Sequence, residues 1–462
     1  MPYIGVGLHP SQCSGFHVHS GDVIILILTM HDKENACSNF FNPIHKDMKT
    51  LLTKSLVTVF ALLFVTAGAY AQQNRDLQYF RAPDQTGLNV FETPKTTEVE
   101  FDGLNIRIGG SNTLQFQALT NETGPDLIPN FNLATSNLDI DAQLANGLRM
   151  HLRTYLSSRN HAEAWVKGGY IQMDRLDFIQ EDFLSSLMDK VTIKVGHMEV
   201  NYGDAHFRRS DNGQAIFNPF VGNYIMDSFT TEVAGEVYYQ SNGLIAMFGL
   251  TNGKLNQSTV EGTTNTRASI VGKLGFDTQL NENTRVRLTG SIYHTGQASN
   301  TYLYSGDRAG SRYYNVVFAE GRGSAFSGRF NPSFNNEMTS IMINPFFKVQ
   351  GLEFFGLLEF ASGKTADDPD TRSVTQLGGE LLYRFGASED VYLGGRYNIV
   401  TGENSANEDI DISRFNIGGG WFLTKNVLAK VEYVKQTYDG FTDPVFSDAG
   451  FDGVMVEAIV SF

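Results

Sequence analysis

The chain has 462 residues, a formal net charge of −15 at pH 7, two cysteines and 12% aromatic residues. A chain this acidic is a poor candidate for general nucleic-acid binding. Its mean hydropathy is slightly below zero, which is unlike that of a helical membrane protein. Many short amphipathic strands would reconcile this hydropathy with the aromatic content and the 46 glycines.

A secretory signal peptide is predicted at residues 48–71. Lys49 and Lys54 form its basic start, residues 56–65 form its apolar run, and a small-x-small cleavage site ends at Ala71. The apolar run is too short to cross a membrane as a helix. We therefore expect export and cleavage by a signal peptidase.

The start of the signal well inside the chain suggests that Met48 is the true first residue. Residues 1–47 are then interpreted as sequence upstream of the true start that was included in the translation by mistake. The alternative is a genuine N-terminal extension. The mature chain would begin at Gln72, would contain no cysteine, and would keep the net charge of −15.

Two regions are predicted after the signal peptide. Residues 72–97 are polar and irregular and are expected to form a periplasmic N-terminal segment, and residues 98–462 are expected to form an outer-membrane β-barrel. About sixteen strands are predicted, with eighteen as the alternative. They are expected near residues 104–121, 132–144, 148–158, 163–174, 191–200, 230–239, 244–251, 268–280, 284–296, 339–349, 352–362, 373–386, 391–401, 410–423, 427–437 and 453–462.

The connections between these strands alternate between short turns and long loops, which is the pattern of a transmembrane barrel. Asn242-Gly243 is one of the hairpin signals among the short turns. One short turn is replaced by residues 175–190, whose apolar residues have roughly helical spacing. Either a short amphipathic helix or a long turn is expected there.

Within the strands, apolar and charged residues alternate with period two, so that each strand has one apolar and one charged face. Leu148, Met150 and Leu152, for example, alternate with Arg149, His151 and Arg153. A closed antiparallel barrel with its apolar face toward lipid satisfies every backbone group. The charged residues assigned to the pore lining by this alternation are Arg149, Arg153, Arg285, Arg287, Glu380, Arg384, Arg396, Lys430 and Glu432.

The last strand carries an assembly signal. Val456, Val460 and Phe462 lie on its apolar face, and the chain ends on the aromatic residue. This resembles the C-terminal signal that outer-membrane barrels present to the barrel-assembly machinery, which is therefore an expected partner besides outer-membrane lipid.

A long polar connection at residues 203–229 is expected to fold into the lumen. It contains Asp204, His206, Arg208, Arg209 and Asp211, which are the candidate pore-constriction residues, together with several aromatic residues that could anchor it. A long loop inside a regular series of strands is usually functional or disordered, and the aromatic residues favour an ordered loop.

The mature chain resembles the general porins, and in particular the phosphate-selective porins of the O and P type. The resemblance is carried by GLNIRIGGSNTLQFQALTN at 103–121, by residues 196–229 and by the last strand. It implies a channel for small solutes or ions, an in-folded third loop, a homotrimer, and basic residues that guide anions. The implied basic residues are Arg208 and Arg209 in the loop and Arg149, Arg153, Lys167, Lys194, Arg285 and Arg287 on the wall.

Two other function classes remain open. An outer-membrane adhesin or structural barrel would use long loops such as 297–338, and an outer-membrane hydrolase is less favoured because no histidine lies in a recognisable nucleophile motif. No catalytic residue, cofactor or metal is predicted. The acidic residues of the loops at 367–370 and 408–409 are interpreted as solvated rather than as a cation site.

Overall fold

The computed structural model describes residues 76–160, 162–211, 214–253, 266–319 and 324–462. The signal peptide predicted at residues 48–71 and the upstream segment at residues 1–47 lie outside the described residues, as does the predicted cleavage site.

Sixteen antiparallel strands close into one barrel, in which β1 pairs with β16. The predicted transmembrane β-barrel is confirmed, with sixteen strands rather than eighteen. The strands are β1 (Asn105–Asn121), β2 (Asn130–Ala145), β3 (Leu148–Ser157), β4 (Trp165–Met173), β5 (Val191–Glu199), β6 (Thr231–Ser241), β7 (Leu244–Thr251), β8 (Ser269–Asn281), β9 (Thr284–Thr295), β10 (Glu337–Val349), β11 (Leu352–Lys364), β12 (Arg372–Phe385), β13 (Val391–Glu403), β14 (Asp409–Thr424), β15 (Val427–Asp439) and β16 (Gly450–Ser461).

The last residue of the chain takes part in the closure. The backbone N–H of Phe462 donates to the carbonyl of Gly110, and the N–H of Gly110 donates to the carbonyl of Phe462, both at 3.0 Å. These bonds extend the β1–β16 ladder to the C-terminus. Closure matters because lipid offers no hydrogen-bond partner to an open sheet edge.

The side chains of the strands separate into an apolar exterior and a polar interior, as the alternation predicts. On the exterior, Leu393, Leu288 and Val431 are 58%, 53% and 51% exposed. On the interior, the neighbouring Arg396 and Arg287 are 2% and 1% exposed. Apolar surface of this kind is stable against lipid, which is why the exposed band contains so many leucines and valines.

The turns at one end of the barrel are short and the loops at the other end are long. At the Asn242-Gly243 turn both residues have positive φ, 51° and 85°, as a tight hairpin requires. We call the two ends of the barrel the short-turn end and the long-loop end.

The connection between β4 and β5 contains only one turn of helix, α1 (Ser185–Met188). The amphipathic helix considered over 175–190 is thus limited to four residues, because Asp182 and Leu184 have left-handed φ values of 57° and 53°, which a right-handed helix cannot include. Among the described residues, no helix is long and apolar enough to cross a membrane.

The final strand provides a test of the assembly signal. Val456 and Val460 lie on the exposed face of β16, 42% and 45% exposed, and Phe462 is 56% exposed. Charge on the lipid face of a barrel costs up to about 2–4 kcal/mol for a basic residue and less for an acidic one. We expect Val456→Asp with Val460→Asp, and separately deletion of Phe462, to abolish the heat-modifiable folded species on gels.

The double variant Val456→Leu with Val460→Leu keeps the face apolar and serves as the matched control. A normally folded aspartate double variant would show that this face of β16 does not meet lipid.

Candidate functional site

The third long loop folds into the lumen, as predicted. This loop, L3, comprises residues 200–230 and joins β5 to β6. Its described residues are all buried except Phe207 and Gln214. Three backbone N–H groups of L3 donate to inward side chains of the wall: Val221 to Glu432, Ile225 to Asn398 and Met226 to Gln376, at 2.7–2.9 Å. The wall thereby supplies hydrogen-bond acceptors to backbone N–H groups of a loop that has no regular secondary structure to satisfy them.

Asp204, at the start of L3, is the centre of a buried charge cluster. Its carboxylate accepts from Arg287 Nε and Nη2 at 2.8 Å, from Lys273 Nζ at 2.9 Å and from the Thr289 hydroxyl at 2.7 Å. Burial alone would raise the pKa of Asp204, but the charges of Arg287 and Lys273 hold it well below its usual range. This cluster fixes L3 to β8 and β9.

Arg208 is fixed to a different part of the wall, β11 and β12. Its Nη2 lies 2.8 Å from Glu353 and 3.0 Å from Glu380, and its Nη1 donates to Asn89. Burial would lower the pKa of Arg208, but the two carboxylates raise it. Only 4% of the residue is exposed, and the two carboxylates of the wall match its charge.

Arg209 is paired within L3 itself. Its Nε donates to Asp227 at 2.8 Å, its Nη1 lies 2.7 Å from Asp211, and its guanidinium lies 4.0 Å from the centre of the Phe229 ring. Of the two arginines expected at the constriction, Arg208 is therefore held by the wall and Arg209 by L3, because each meets a carboxylate that would otherwise be buried without a partner.

Asp211 joins L3 to a second in-folded loop. L5, residues 296–336 between β9 and β10, brings Asp307 to Lys167, whose Nζ lies 3.2 Å from Asp307 and 3.3 Å from Asp211. The Tyr155 hydroxyl also donates to Asp307, at 2.7 Å. Burial and the charge of Asp307 raise the pKa of Asp211, whereas Lys167 and Arg312 lower the pKa of Asp307 although it is buried.

L5 was not predicted to enter the barrel. Two backbone hydrogen bonds join it to L3, from Phe229 N to Leu303 O at 2.8 Å and from Phe330 N to Ile225 O at 2.9 Å. Its tyrosines reach the wall: Tyr304 donates to Glu359 at 2.8 Å and Tyr313 to Glu432 at 2.5 Å. The density of tyrosines in this loop was the signal in the sequence, since a tyrosine that is buried requires a partner for its hydroxyl.

The N-terminal segment enters the barrel at the short-turn end. Gln85 N donates to the carbonyl of Lys425 at 2.8 Å, and Lys95 Nζ lies 2.9 Å from Asp174. Between these anchors, Glu92 lies 2.8 Å from Arg287 and 3.2 Å from Lys273. The N-terminal segment thus contributes side chains to the lumen.

A cavity of about 170 Å³ remains between the N-terminal segment, L3 and the inner face of β1–β6. On its other side the lumen is filled by L3 and L5. Six basic and four acidic side chains line the cavity, namely Arg81, Arg107, Arg149, Arg153, Lys167 and Lys194 against Glu92, Asp139, Asp141 and Glu199. Its lining therefore has a positive surplus although the whole chain is acidic.

The predicted pore-lining residues divide into two groups. Arg149, Arg153, Lys167 and Lys194 border the cavity, as does His206 from the predicted constriction residues. The others face inward but are engaged by the wall, L3 or the N-terminal segment: Arg285 with Asp277, Arg287 with Asp204, Arg384 with Glu353, Arg396 with Glu380, Lys430 with Glu457, and Glu432 with the Val221 N–H. Sequence reasoning missed Arg81 and Arg107, which also border the cavity.

The described residues contain no group of three or more His, Cys, Asp or Glu side chains that could hold a metal ion. In the acidic loop at 367–370, the Asp368 carboxylate accepts from the backbone of Thr365 at 2.8 Å and from Arg372 at 3.1 Å.

No protein-family description and no curated protein sequence matches this chain. Solved structures do match. The anion-selective porin from Comamonas acidovorans has a TM-score of 0.51 at 11% identity, over 78% of this chain and all (100%) of that chain. The fold is that of an outer-membrane porin.

Two further solved structures are similar to this barrel. The outer membrane channel DcaP of Acinetobacter baumannii has a TM-score of 0.48 at 10% identity, covering 79% of this chain and 99% of that chain. OmpT of Vibrio cholerae has the same TM-score of 0.48, also at 10% identity and with coverages of 79% and 99%.

The paired arginines of L3 generate a prediction about the loop. Arg208→Ala with Arg209→Ala leaves Glu353, Glu380 and Asp227 without these partners, and breaking a buried pair in this way costs about 3–5 kcal/mol. L3 should then loosen, and bilayer recordings should show larger and noisier conductance steps than those of the wild-type protein.

The control is Lys364→Ala, which removes a half-buried cation that lies 3.7 Å from Glu337 at the long-loop end. Steps of unchanged size and noise in the double arginine variant would mean that L3 does not limit the passage.

The Asp211–Asp307 contact predicts a pH dependence. The pKa of Asp211 is raised in the folded state. Protonation of Asp211 therefore stabilises the fold fully below the ordinary carboxyl pKa of about 3.9. This contribution to stability is lost as pH rises through the raised pKa. Asp211→Asn resembles the protonated form and should reduce the loss of stability as pH rises toward neutral.

The measurement is the temperature of the gel-mobility shift at a series of pH values, with Asp448→Asn, an exposed loop change, as control. An identical pH profile for wild type and Asp211→Asn would contradict the raised pKa of this carboxyl.

Proposed function

We propose that the protein is an outer-membrane porin through which small solutes or ions diffuse, with a preference for small anions such as phosphate. The observation that carries this proposal is the cavity beside L3, whose lining has six basic and four acidic side chains. A porin-type barrel supplies the membrane-spanning wall, and the cavity supplies a polar space inside it.

The dimensions of the cavity favour small solutes. At about 30 Å³ per water molecule, a volume of about 170 Å³ holds a handful of waters. A hydrated inorganic ion or a small oxyanion fits such a space, whereas an oligosaccharide would require L3 or L5 to move. We therefore propose that the passage runs between L3 and β1–β6.

The charges of the lining favour anions. Asp141 is shared by Arg107 at 3.2 Å and Arg149 at 2.8 Å, and Asp139 is paired with Arg153 at 2.6 Å. These two carboxylates of the wall are thus matched or outnumbered by guanidinium groups. In a narrow passage the effective dielectric is below that of water, so the surplus charge acts strongly on a passing ion.

The apolar exterior and the predicted signal peptide support export to the outer membrane, with insertion by the barrel-assembly machinery. A homotrimer is part of the proposal by analogy with sixteen-stranded porins. The resemblance to phosphate-selective O and P porins supports phosphate as one permeating anion.

A second candidate function is favoured by the filling of the lumen. L3, L5 and the N-terminal segment all enter the interior, and an adhesin or a structural barrel does not require an open lumen. The two functions differ in one property, since a structural barrel does not need to conduct ions.

Planar-bilayer recording distinguishes them. We expect the purified protein to conduct and, in a KCl gradient, to show a reversal potential that favours chloride. Lys194→Ala removes a cation from the cavity lining and should shift this potential toward potassium. Lys348→Ala is the control, because Lys348 is paired with Glu389 at 2.5 Å near the short-turn end and does not border the cavity.

Absence of any conductance from correctly folded protein would overturn the channel proposal in favour of the structural barrel. Conductance without preference for chloride would overturn the anion preference alone.

A further inference from the structure

Arg81, in the N-terminal segment, is held at the border of the cavity by two separate parts of the chain. Its Nε donates to the carbonyl of Gly87 at 3.0 Å, and its Nη2 donates to the carbonyl of Phe207 in L3 at 3.2 Å. The guanidinium also lies 3.7 Å from the centre of the Phe217 ring. These contacts fix the position of the group, which a flexible terminal segment would not do.

The contacts of Arg81 leave its charge unmatched. Within the described part of the chain, no carboxylate lies within ion-pair distance of Arg81, whereas Arg149 and Arg153 are paired with Asp141 and Asp139. Burial lowers the pKa of Arg81 to about 9, while the charge of Glu199 raises it. The group therefore stays charged at neutral pH.

Arg81 has donors left for a ligand. A guanidinium carries five N–H donors, and the carbonyls of Gly87 and Phe207 occupy two of them. The planar guanidinium fork matches two oxygens of a carboxylate or of a phosphate. Of the six cations that line the cavity, Lys194 is the second with no carboxylate of the described residues at ion-pair distance, and its ammonium lies 4.9 Å from the Tyr238 ring centre.

We propose that Arg81 is the specificity-determining residue of the passage and forms, with Lys194, a binding subsite for a small oxyanion or halide. The N-terminal segment is then part of the selectivity filter and not a tether. This inference rests on the proposed channel function. It assigns the filter to a residue outside the barrel and outside L3, whose own arginines are matched by Glu353, Glu380 and Asp227.

A cysteine at position 81 allows the charge at that position to be set by chemical modification after the protein has folded. Both cysteines, Cys13 and Cys37, precede the predicted mature start at Gln72, so Arg81→Cys places one thiol in the mature barrel. The folded variant is recorded in a bilayer under a KCl gradient, first unmodified and then after reaction with an aminoethyl or a sulfonatoethyl methanethiosulfonate.

We expect Arg81→Cys to lower the chloride-to-potassium permeability ratio several-fold. The aminoethyl reagent should restore the ratio, and the sulfonatoethyl reagent should lower it further. Inorganic phosphate should block chloride current in the wild-type protein more strongly than in Arg81→Cys.

Two variants serve as controls. Arg81→Lys keeps the charge without the fork and should keep the preference for chloride while weakening the block by phosphate. Arg175→Ala removes an arginine that is paired with Asp189 at 2.7 Å near the short-turn end and does not border the cavity, and it should change neither property.

The outcomes separate the inference from the proposed function. A conducting wild-type channel whose permeability ratio is indifferent to the charge at position 81 overturns the inference and leaves the channel function standing. A thiol that reacts with neither reagent while current flows also overturns it, because Arg81 would lie outside the water-filled path. A folded wild-type protein that does not conduct overturns both.

Discussion

The interior of this barrel is organised by the need to match buried charge. Sixteen strands that turn an apolar face to lipid turn their polar face inward, and two long loops then displace the water that would solvate it. A buried charge without a partner is strongly destabilising, so the carboxylates buried in the lumen pair with cations or donors of the wall or of the loops. Asp204 with Arg287, and Glu353 with Arg208, are the clearest cases.

This matching makes the lumen asymmetric. L3 and L5 pack against β8–β16, where Glu380 and Glu432 accept hydrogen bonds from Tyr224 and Tyr313. The opposite wall, β1–β6, faces the N-terminal segment across the cavity. The candidate passage is thus defined by the two in-folded loops and by the segment that precedes the barrel, while the strands supply the frame.

Much of the fold could be predicted because its signals are local. The period-two alternation places Leu393 outside and Arg396 inside, since adjacent strand residues point to opposite faces. The Asn242-Gly243 dipeptide predicts a hairpin because both residue types tolerate the positive φ that a tight turn requires. The in-folding of L3 was also predictable, because a long loop with aromatic anchors occurs where the strands are otherwise regular. Part of the site followed from the same alternation, as with Arg149 and Arg153.

The sequence by itself determined the strands, their facing, the short turns and the set of inward charges, because each depends on neighbours two or three residues away. Only the tertiary structure decided which charges are paired and which border open space. Arg208 and Arg81 look alike in the sequence, but Arg208 meets Glu353, 145 residues away, whereas Arg81 meets two backbone carbonyls. Pairing at that separation depends on how L3, L5 and the N-terminal segment fill the barrel together, and no local pattern records it.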